Sequence, residues 1–164
     1  MSLGSHQMTV GKSQVYLTPK WLIDALGPFD LDPCAADPRP WDCARDNYTA
    51  NGLERSWHGL VWLNPPFDRY QVGRWVDALR CHPAGGILLT HARTEAAWFR
   101  PIWESAKCAT FLSRRLTFCR EDGSPHPANS GAPAVLAAFG ERAADRLYER
   151  PELGTLVTRW ATAA

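Results

Sequence analysis

Short apolar runs and their spacing divide the chain into alternating elements. Leu60-Val61-Trp62-Leu63 and Ile87-Leu88-Leu89-Thr90 are apolar without alternation, the pattern of strands buried on both faces of a sheet. Between them Val72, Trp75, Val76 and Leu79 recur at helical spacing, which predicts a helix over 70–80, closed by Gly85-Gly86. Thr18-Pro19 opens a predicted helix through Leu26: threonine can cap the exposed amides, proline suits the first helical position, and Gly27-Pro28 stop it. Phe29-Asp30-Leu31-Asp32 reads as a short strand ending in an acid. Residues 33–49, with three prolines and many polar side chains, read as a mostly irregular loop suited to ligand binding. A further helix is expected over 94–107, with Pro101 as its breaking point, and then three closing strands at 109–112, 116–118 and 134–139. Alternating strand and helix followed by consecutive strands predicts an α/β fold whose sheet is mainly parallel, with antiparallel strands at the C-terminal end. Ligands of such sheets sit beyond the carboxyl ends of the strands, where Asp32 and Asn64 both fall.

Composition narrows the picture to one packed domain: 164 residues, 45% hydrophobic and 21% charged, leave no room for two ordinary ones. Met1-Ser2-Leu3-Gly4-Ser5-His6-Gln7 reads as vector-derived sequence ahead of Met8, so the domain is expected to span 8–164. No apolar run of about 18 residues and no basic segment followed by an apolar one is present, so neither a membrane span nor a signal peptide is expected, and the location expected is cytoplasmic. Cys34, Cys43, Cys81, Cys108 and Cys119 are odd in number and widely spaced, with no C-x-x-C pair; reduced thiols are expected, and no metal.

The net charge of +1 is unevenly distributed. Residues 81–120 carry six Lys or Arg against Glu95 and Glu104, whereas residues 30–54 carry six acids against Arg39 and Arg45. An acidic first part suits a cationic small molecule and a basic middle suits a phosphate backbone. Two ordinarily solvated faces would give the same counts.

Asn64-Pro65-Pro66-Phe67 follows the first apolar strand directly, and its residue types suit chemistry on a planar exocyclic amine such as that of adenine. The nitrogen lone pair of such an amine is delocalised into the ring, so it is a poor nucleophile. Two acceptors aimed at its two N–H bonds favour a tetrahedral nitrogen and stabilise the positive charge that develops there. Asn64 supplies a side-chain oxygen, and the Pro65 carbonyl can supply the other. Paired prolines fix the backbone and add no competing donor. Phe67 offers a face for an extruded base, worth about 1 to 3 kcal/mol. Asn-Pro-Pro also suits a plain strand-ending turn; the buried strand before it and the aromatic behind it favour the catalytic reading.

The chain resembles the phage DNA N6-adenine methyltransferases, small members of the AdoMet-dependent methyltransferase superfamily. The resemblance runs from Tyr16 to about Gly140 and rests on the order and spacing of several segments: Tyr16-Leu17-Thr18-Pro19-Lys20-Trp21, Phe29-Asp30-Leu31-Asp32-Pro33-Cys34-Ala35, Asn51-Gly52-Leu53, Val61-Trp62-Leu63-Asn64-Pro65-Pro66-Phe67, Arg93-Thr94 with Trp98-Phe99, and residues 111–118. It implies S-adenosyl-L-methionine as methyl donor, DNA as partner, and a Rossmann-like methyltransferase sheet in a bacterial host cell. Thr18 and Pro19 would line the methionine end of the donor, Asp32 would face its ammonium, and Pro33, Cys34 and Ala35 would shape the pocket. Thr18 equally suits a helix cap, and Asp32 an anchor for its own loop. Arg93, Arg114 and Arg115 are candidates for DNA contacts, against ordinary surface charge. Asp68 has no assigned role.

Two departures from the superfamily pattern predict an abbreviated cofactor pocket. Ala36-Asp37-Pro38 stands where a Gly-x-Gly normally follows the first strand, and only about 25 residues separate Ala35 from the catalytic strand, too few for two further βα units. The same loop type can act on a cytosine N4 amine or a protein glutamine amide, although cytosine enzymes usually carry Ser at this position and glutamine enzymes usually keep the glycine-rich loop. A catalytically silent DNA-binding protein is the reading from another class.

Overall fold

The strands are short and lie side by side in one mixed sheet. The computed structural model describes residues 16–68 and 70–158; residues 1–7, read as vector-derived, lie outside the described residues. In chain order the elements are α1 (Lys20–Leu26), β1 (Leu31–Asp32), β2 (Asp46–Asn47), β3 (Val61–Leu63), α2 (Val72–Cys81), β4 (Gly86–His91), α3 (Arg100–Ser105), β5 (Cys108–Leu112), β6 (Ala134–Phe139), α4 (Glu141–Tyr148) and β7 (Gly154–Val157). Two 3₁₀ turns, Ala97–Phe99 and Pro151–Leu153, precede α3 and β7. The order across the sheet is β2-β1-β3-β4-β6-β5-β7. β1 to β4 run parallel; β6 inserts antiparallel between β4 and β5, and β7 closes antiparallel on β5. The expected mixed sheet, parallel at one end and antiparallel at the other, is what forms.

Alternate strand residues face opposite layers. Trp62, Ile87, Leu89, Leu136 and Ala138 pack with Leu22, Ile23 and Leu26 of α1 and with Ala143, Ala144 and Leu147 of α4. Val61, Leu63, Leu88, Val135 and Ala137 pack with Val72, Trp75, Val76 and Leu79 of α2 and with Phe99 and Ile102 around α3. At ten residues α2 is too short to be stable alone in water, so its four buried side chains, each worth about 1.5–3 kcal/mol on burial, hold it in place. Gly85, at φ +70, makes the turn between α2 and β4: a Cβ there would stand 1.9 Å from the Phe139 carbonyl oxygen. Among the described residues no helix is long and apolar enough to cross a membrane.

Several expected elements change on folding. Pro19, extended at φ −62 and ψ 139, precedes α1 instead of opening it, and Thr18 makes no cap. The Pro19 carbonyl takes the Leu22 amide at 3.0 Å, while the Thr18 side chain turns inward and is 2% exposed. The helix expected over 94–107 forms only at Arg100–Ser105 behind a 3₁₀ turn. Pro101 sits in its first turn, where a missing N–H breaks no helical bond. Residues 116–118 are not a strand. Leu116 and Phe118 are buried and Thr117 is exposed, hence the alternation, but their carbonyls pair with Ser130 and His126, outside the main sheet. β2, α4 and β7 were not foreseen.

Candidate active site

The carboxyl ends of β1, β3, β4 and β5 share one edge of the sheet, because these four strands run in the same direction. Asp32 ends β1, Asn64 follows β3, His91 ends β4, and Arg114-Arg115 follow β5. Arg93 lies two residues beyond β4. The absence of further βα units between β1 and β3 places Asp32 and Asn64 on neighbouring strands, as the short spacing foresaw.

Asn64 is fixed by its own backbone and by the N-terminal segment. Its Nδ2 donates to the Tyr16 carbonyl at 3.2 Å, and its backbone carbonyl accepts from the Cys34 thiol at 3.3 Å. Because a carbonyl can only accept, the Tyr16 contact assigns nitrogen to that side of the amide and leaves Oδ1 on the other. Oδ1 is buried and has no hydrogen-bond partner. A buried acceptor left unpaired costs about 1–3 kcal/mol; among the described residues the side chains of Thr18, Asn47, Trp62, Trp75, Thr90 and Thr110 share that state, and Asn64 differs from most of them in lying at the carboxyl edge of the sheet. Its Oδ1 has almost no accessible surface in this conformation, and a ligand reaches it only after neighbouring groups move aside. Pro65 is buried and Pro66 exposed. Asp68 has a local job: its carboxylate takes the Tyr70 amide at 2.8 Å and its carbonyl takes the Gln71 and Val72 amides, turning the chain into α2.

Phe67 is half-buried and already engaged. Its ring stacks on His91, with centroids 4.1 Å apart and planes 22° apart, and meets Phe118 edge-on at 5.9 Å. Phe118 meets Tyr16 at 5.7 Å, and Tyr16 lies 5.6 Å from His126. A base stacking on Phe67 therefore has at most one face of that ring to use. Burial, and secondarily Arg93, holds the His91 imidazole below its ordinary pKa, so the ring is neutral at neutral pH.

On β1, Asp32 is 4% exposed. One carboxylate oxygen accepts the Cys34 amide at 3.0 Å, so part of its work is to shape its own loop. Burial raises its pKa from 3.8 to about 6, against smaller opposing effects from the Cys34 amide and thiol, Arg39 and the Cys43 thiol. Burial pushes both thiols up, with Asp32 adding to it, so neither Cys34 nor Cys43 is a thiolate at neutral pH. Pro33 and Ala35 are buried, and the Ala35 amide donates to the carbonyl of Tyr48, the residue after β2. Thr18 closes the opposite side of the N-terminal segment. Its hydroxyl is buried without a partner, and its carbonyl accepts from Trp41 Nε1 at 3.2 Å. Trp41 also belongs to an open cleft of about 350 Å³ lined by residues 37–42.

Hydrogen bonds thus join Asp32 through Cys34 to Asn64 and on to Tyr16, two residues from Thr18. Arg93, Arg114 and Arg115 are exposed at the same edge and form no ion pair among the described residues. Sequence reasoning did not find His91, Trp41 or Gly52. Gly52 had a signal in the Asn51-Gly52-Leu53 segment: a Cβ there would stand 1.7 Å from the Pro33 carbonyl oxygen, so only glycine lets the 51–53 turn support the Asp32 loop. His91 had none, since its partner ring comes from another strand's loop.

Comparison with known proteins assigns the family. A model described as DNA N-6-adenine-methyltransferase (Dam) matches residues 5–154, and the chain belongs to that family. No curated protein and no solved structure matches the chain.

Proposed function

We propose that this member of the DNA N-6-adenine-methyltransferase family transfers a methyl group from S-adenosyl-L-methionine to the N6 amine of adenine in DNA, in the cytoplasm of a bacterial host. The observation that carries the reading is the Asn64 amide: nitrogen tied to Tyr16, oxygen buried and unpaired at the carboxyl end of β3. Once neighbouring groups move aside, such an oxygen is an acceptor for one N–H of the amine, and the Pro65 carbonyl is the second. Together they favour the tetrahedral nitrogen and take up the charge that develops on it. Neither is a base, so the proton released from the methylated amine passes to water. Asn64 and Phe67 would hold the extruded adenine; Arg93, Arg114 and Arg115 would hold the phosphates on either side.

The donor's amino-acid end fits the residues at β1. The orphaned Thr18 hydroxyl can donate to a carboxylate, and burial outweighs the attraction of Arg39 at the Asp32 carboxyl, so that a cation brought into contact with it would favour its ionised form. Thr18, Pro19, Asp32, Pro33, Cys34 and Ala35 are the residues proposed to hold it. When bound, it supplies an electrophilic methyl group. What the chain itself contributes is position: the Cys34 thiol links the loop that carries Asp32 to the backbone of Asn64, so the donor pocket and the acceptor loop are held in one frame.

Incubation with methyl-labelled S-adenosyl-L-methionine and mixed-sequence DNA, followed by nucleoside analysis, tests the reading. Label in N6-methyladenine is expected. Label in N4-methylcytosine or in protein would move the assignment to the other planar amines, and DNA binding without any label would make the chain a silent binder.

A further inference from the structure

The Phe67 ring has no hydrogen bond to fix it, and it lies in a loop between β3 and α2. Two rings set its orientation. Phe118 meets its edge, and His91 covers one face in near-parallel contact at 4.1 Å. The two supports differ in kind. Phe118 belongs to the irregular segment after β5; its carbonyl accepts the His126 amide, and the next residue, Cys119, forms an isolated bridge with Leu17. His91 is the last residue of β4, a strand paired with β3 on one side and with β6 along its whole length on the other, His91 opposite Ala134. The β3 pairing covers only Gly86 to Leu88, so His91 itself is held by β6 alone; a side chain on a paired strand is still a more exact support than one on a loop.

We propose that His91 is a positioning residue for methyl transfer: it backs the Phe67 ring and presents the opposite face to the extruded adenine. The inference rests on the reading of Asn64-Pro65-Pro66-Phe67 as the acceptor loop. A base stacked on an unbacked ring must first fix that ring, and the loss of rotational freedom weakens binding. Backing removes that loss before DNA arrives. The imidazole acts through its flat face and not through a proton, because the Phe67 ring lies between it and the place the base would occupy. Any flat ring of similar size at residue 91 should serve.

The test is steady-state methylation of mixed-sequence DNA by wild type, His91→Ala, His91→Gln and His91→Phe, with S-adenosyl-L-methionine binding measured on each. His91→Ala and His91→Gln should raise the DNA KM about three- to tenfold, from the loss of one aromatic pair, with donor binding unchanged. His91→Phe should restore the wild-type KM. Equal KM in wild type and His91→Ala, or a His91→Phe enzyme no better than His91→Gln, would overturn the proposal. An inactive wild type would instead overturn the acceptor-loop reading, and this proposal with it. A readout independent of activity is the proton NMR signal of the His91 ring in the DNA-free protein. Phe67→Leu should shift it by removing the ring current of a stacked neighbour, and an unshifted signal would contradict the contact itself.

Discussion

Asp30 and Asp32 stand two residues apart beside the same short strand, yet they are treated in opposite ways. Asp30 sits on the side away from the carboxyl edge with its charge answered. It accepts the Leu60 amide at 2.7 Å, Arg45 lies at 3.6 Å, Arg142 at 4.0 Å, and its side chain is about a third exposed. Asp32 is 4% exposed, accepts one backbone amide, has the neutral Cys34 and Cys43 thiols for neighbours, and feels Arg39 only as a smaller effect than its own burial. Folding explains Asp30 fully: it ties the start of β1 to the start of β3. It does not explain why a carboxyl should be buried at Asp32, where an amide would serve the loop as well. The contrast separates a carboxylate that holds the fold from one that the proposed function assigns to a cation. Half of the six acids between 30 and 54, read from sequence as a pool for a cationic ligand, are of the first kind: beside Asp30, Asp42 pairs with Arg39, and Asp46 with His58 and Arg45.

Within this comparison, replacing Asp32 with Asn should give the largest effects, in two opposite directions. Affinity for S-adenosyl-L-methionine should fall about tenfold to a hundredfold, the worth of one charge-assisted hydrogen bond. Stability of the donor-free protein should rise at pH 7 and above. The folded pKa of Asp32 is raised from 3.8 to about 6, so its contribution to stability is fully present below 3.8 and is lost as pH rises through about 6. That loss is about 3 kcal/mol, less whatever the amide gives up in bonding Cys34. Thermal melts of the two proteins should therefore diverge above pH 6 and converge near pH 4. A mutant that is less stable at pH 7 with unaltered donor affinity would return Asp32 to the structural class.

Asp30→Ala should do the reverse. It leaves the Leu60 amide without its acceptor and should cost about 1–3 kcal/mol in a denaturant melt, with donor affinity unchanged. A tenfold loss of donor affinity there would erase the comparison.

The same division runs through the cations and gives the smallest effect on stability. Arg45 and Arg142 face Asp30, while Arg114 and Arg115 have no acidic partner among the described residues. Arg114→Ala with Arg115→Ala should leave the melting temperature nearly unchanged and lower the slope of log affinity for DNA against log salt by up to about two. An unchanged slope would place the phosphate contacts elsewhere.

How much of this was legible depended on whether a residue's reason lies near it in the chain. β3 and β4 announce themselves because both of their faces are buried, which leaves uninterrupted apolar runs. Asn64 is legible because the strand, the turn and the aromatic that define its role are contiguous. β2 has two polar residues and β7 is half-exposed, so neither carries a strand pattern; each exists because a neighbouring edge needed a partner. The run 116–118 misled for the complementary reason: alternation reports one buried face, not a ladder. α4 could have been found, since Ala143, Ala144 and Leu147 mark one face, with Glu141 in the first turn and Arg146 in the last. His91 and the unpaired state of the Thr18 hydroxyl depend on segments far apart in sequence and became visible only on folding.

The most direct measurement is single-turnover methyl transfer by Asn64→Ala beside wild type, with S-adenosyl-L-methionine binding followed by calorimetry on both. On the proposed role, in which Asn64 acts on the acceptor amine, transfer to adenine should fall at least about a hundredfold while donor affinity changes by less than about threefold. Transfer at the wild-type rate would contradict the assignment of Asn64.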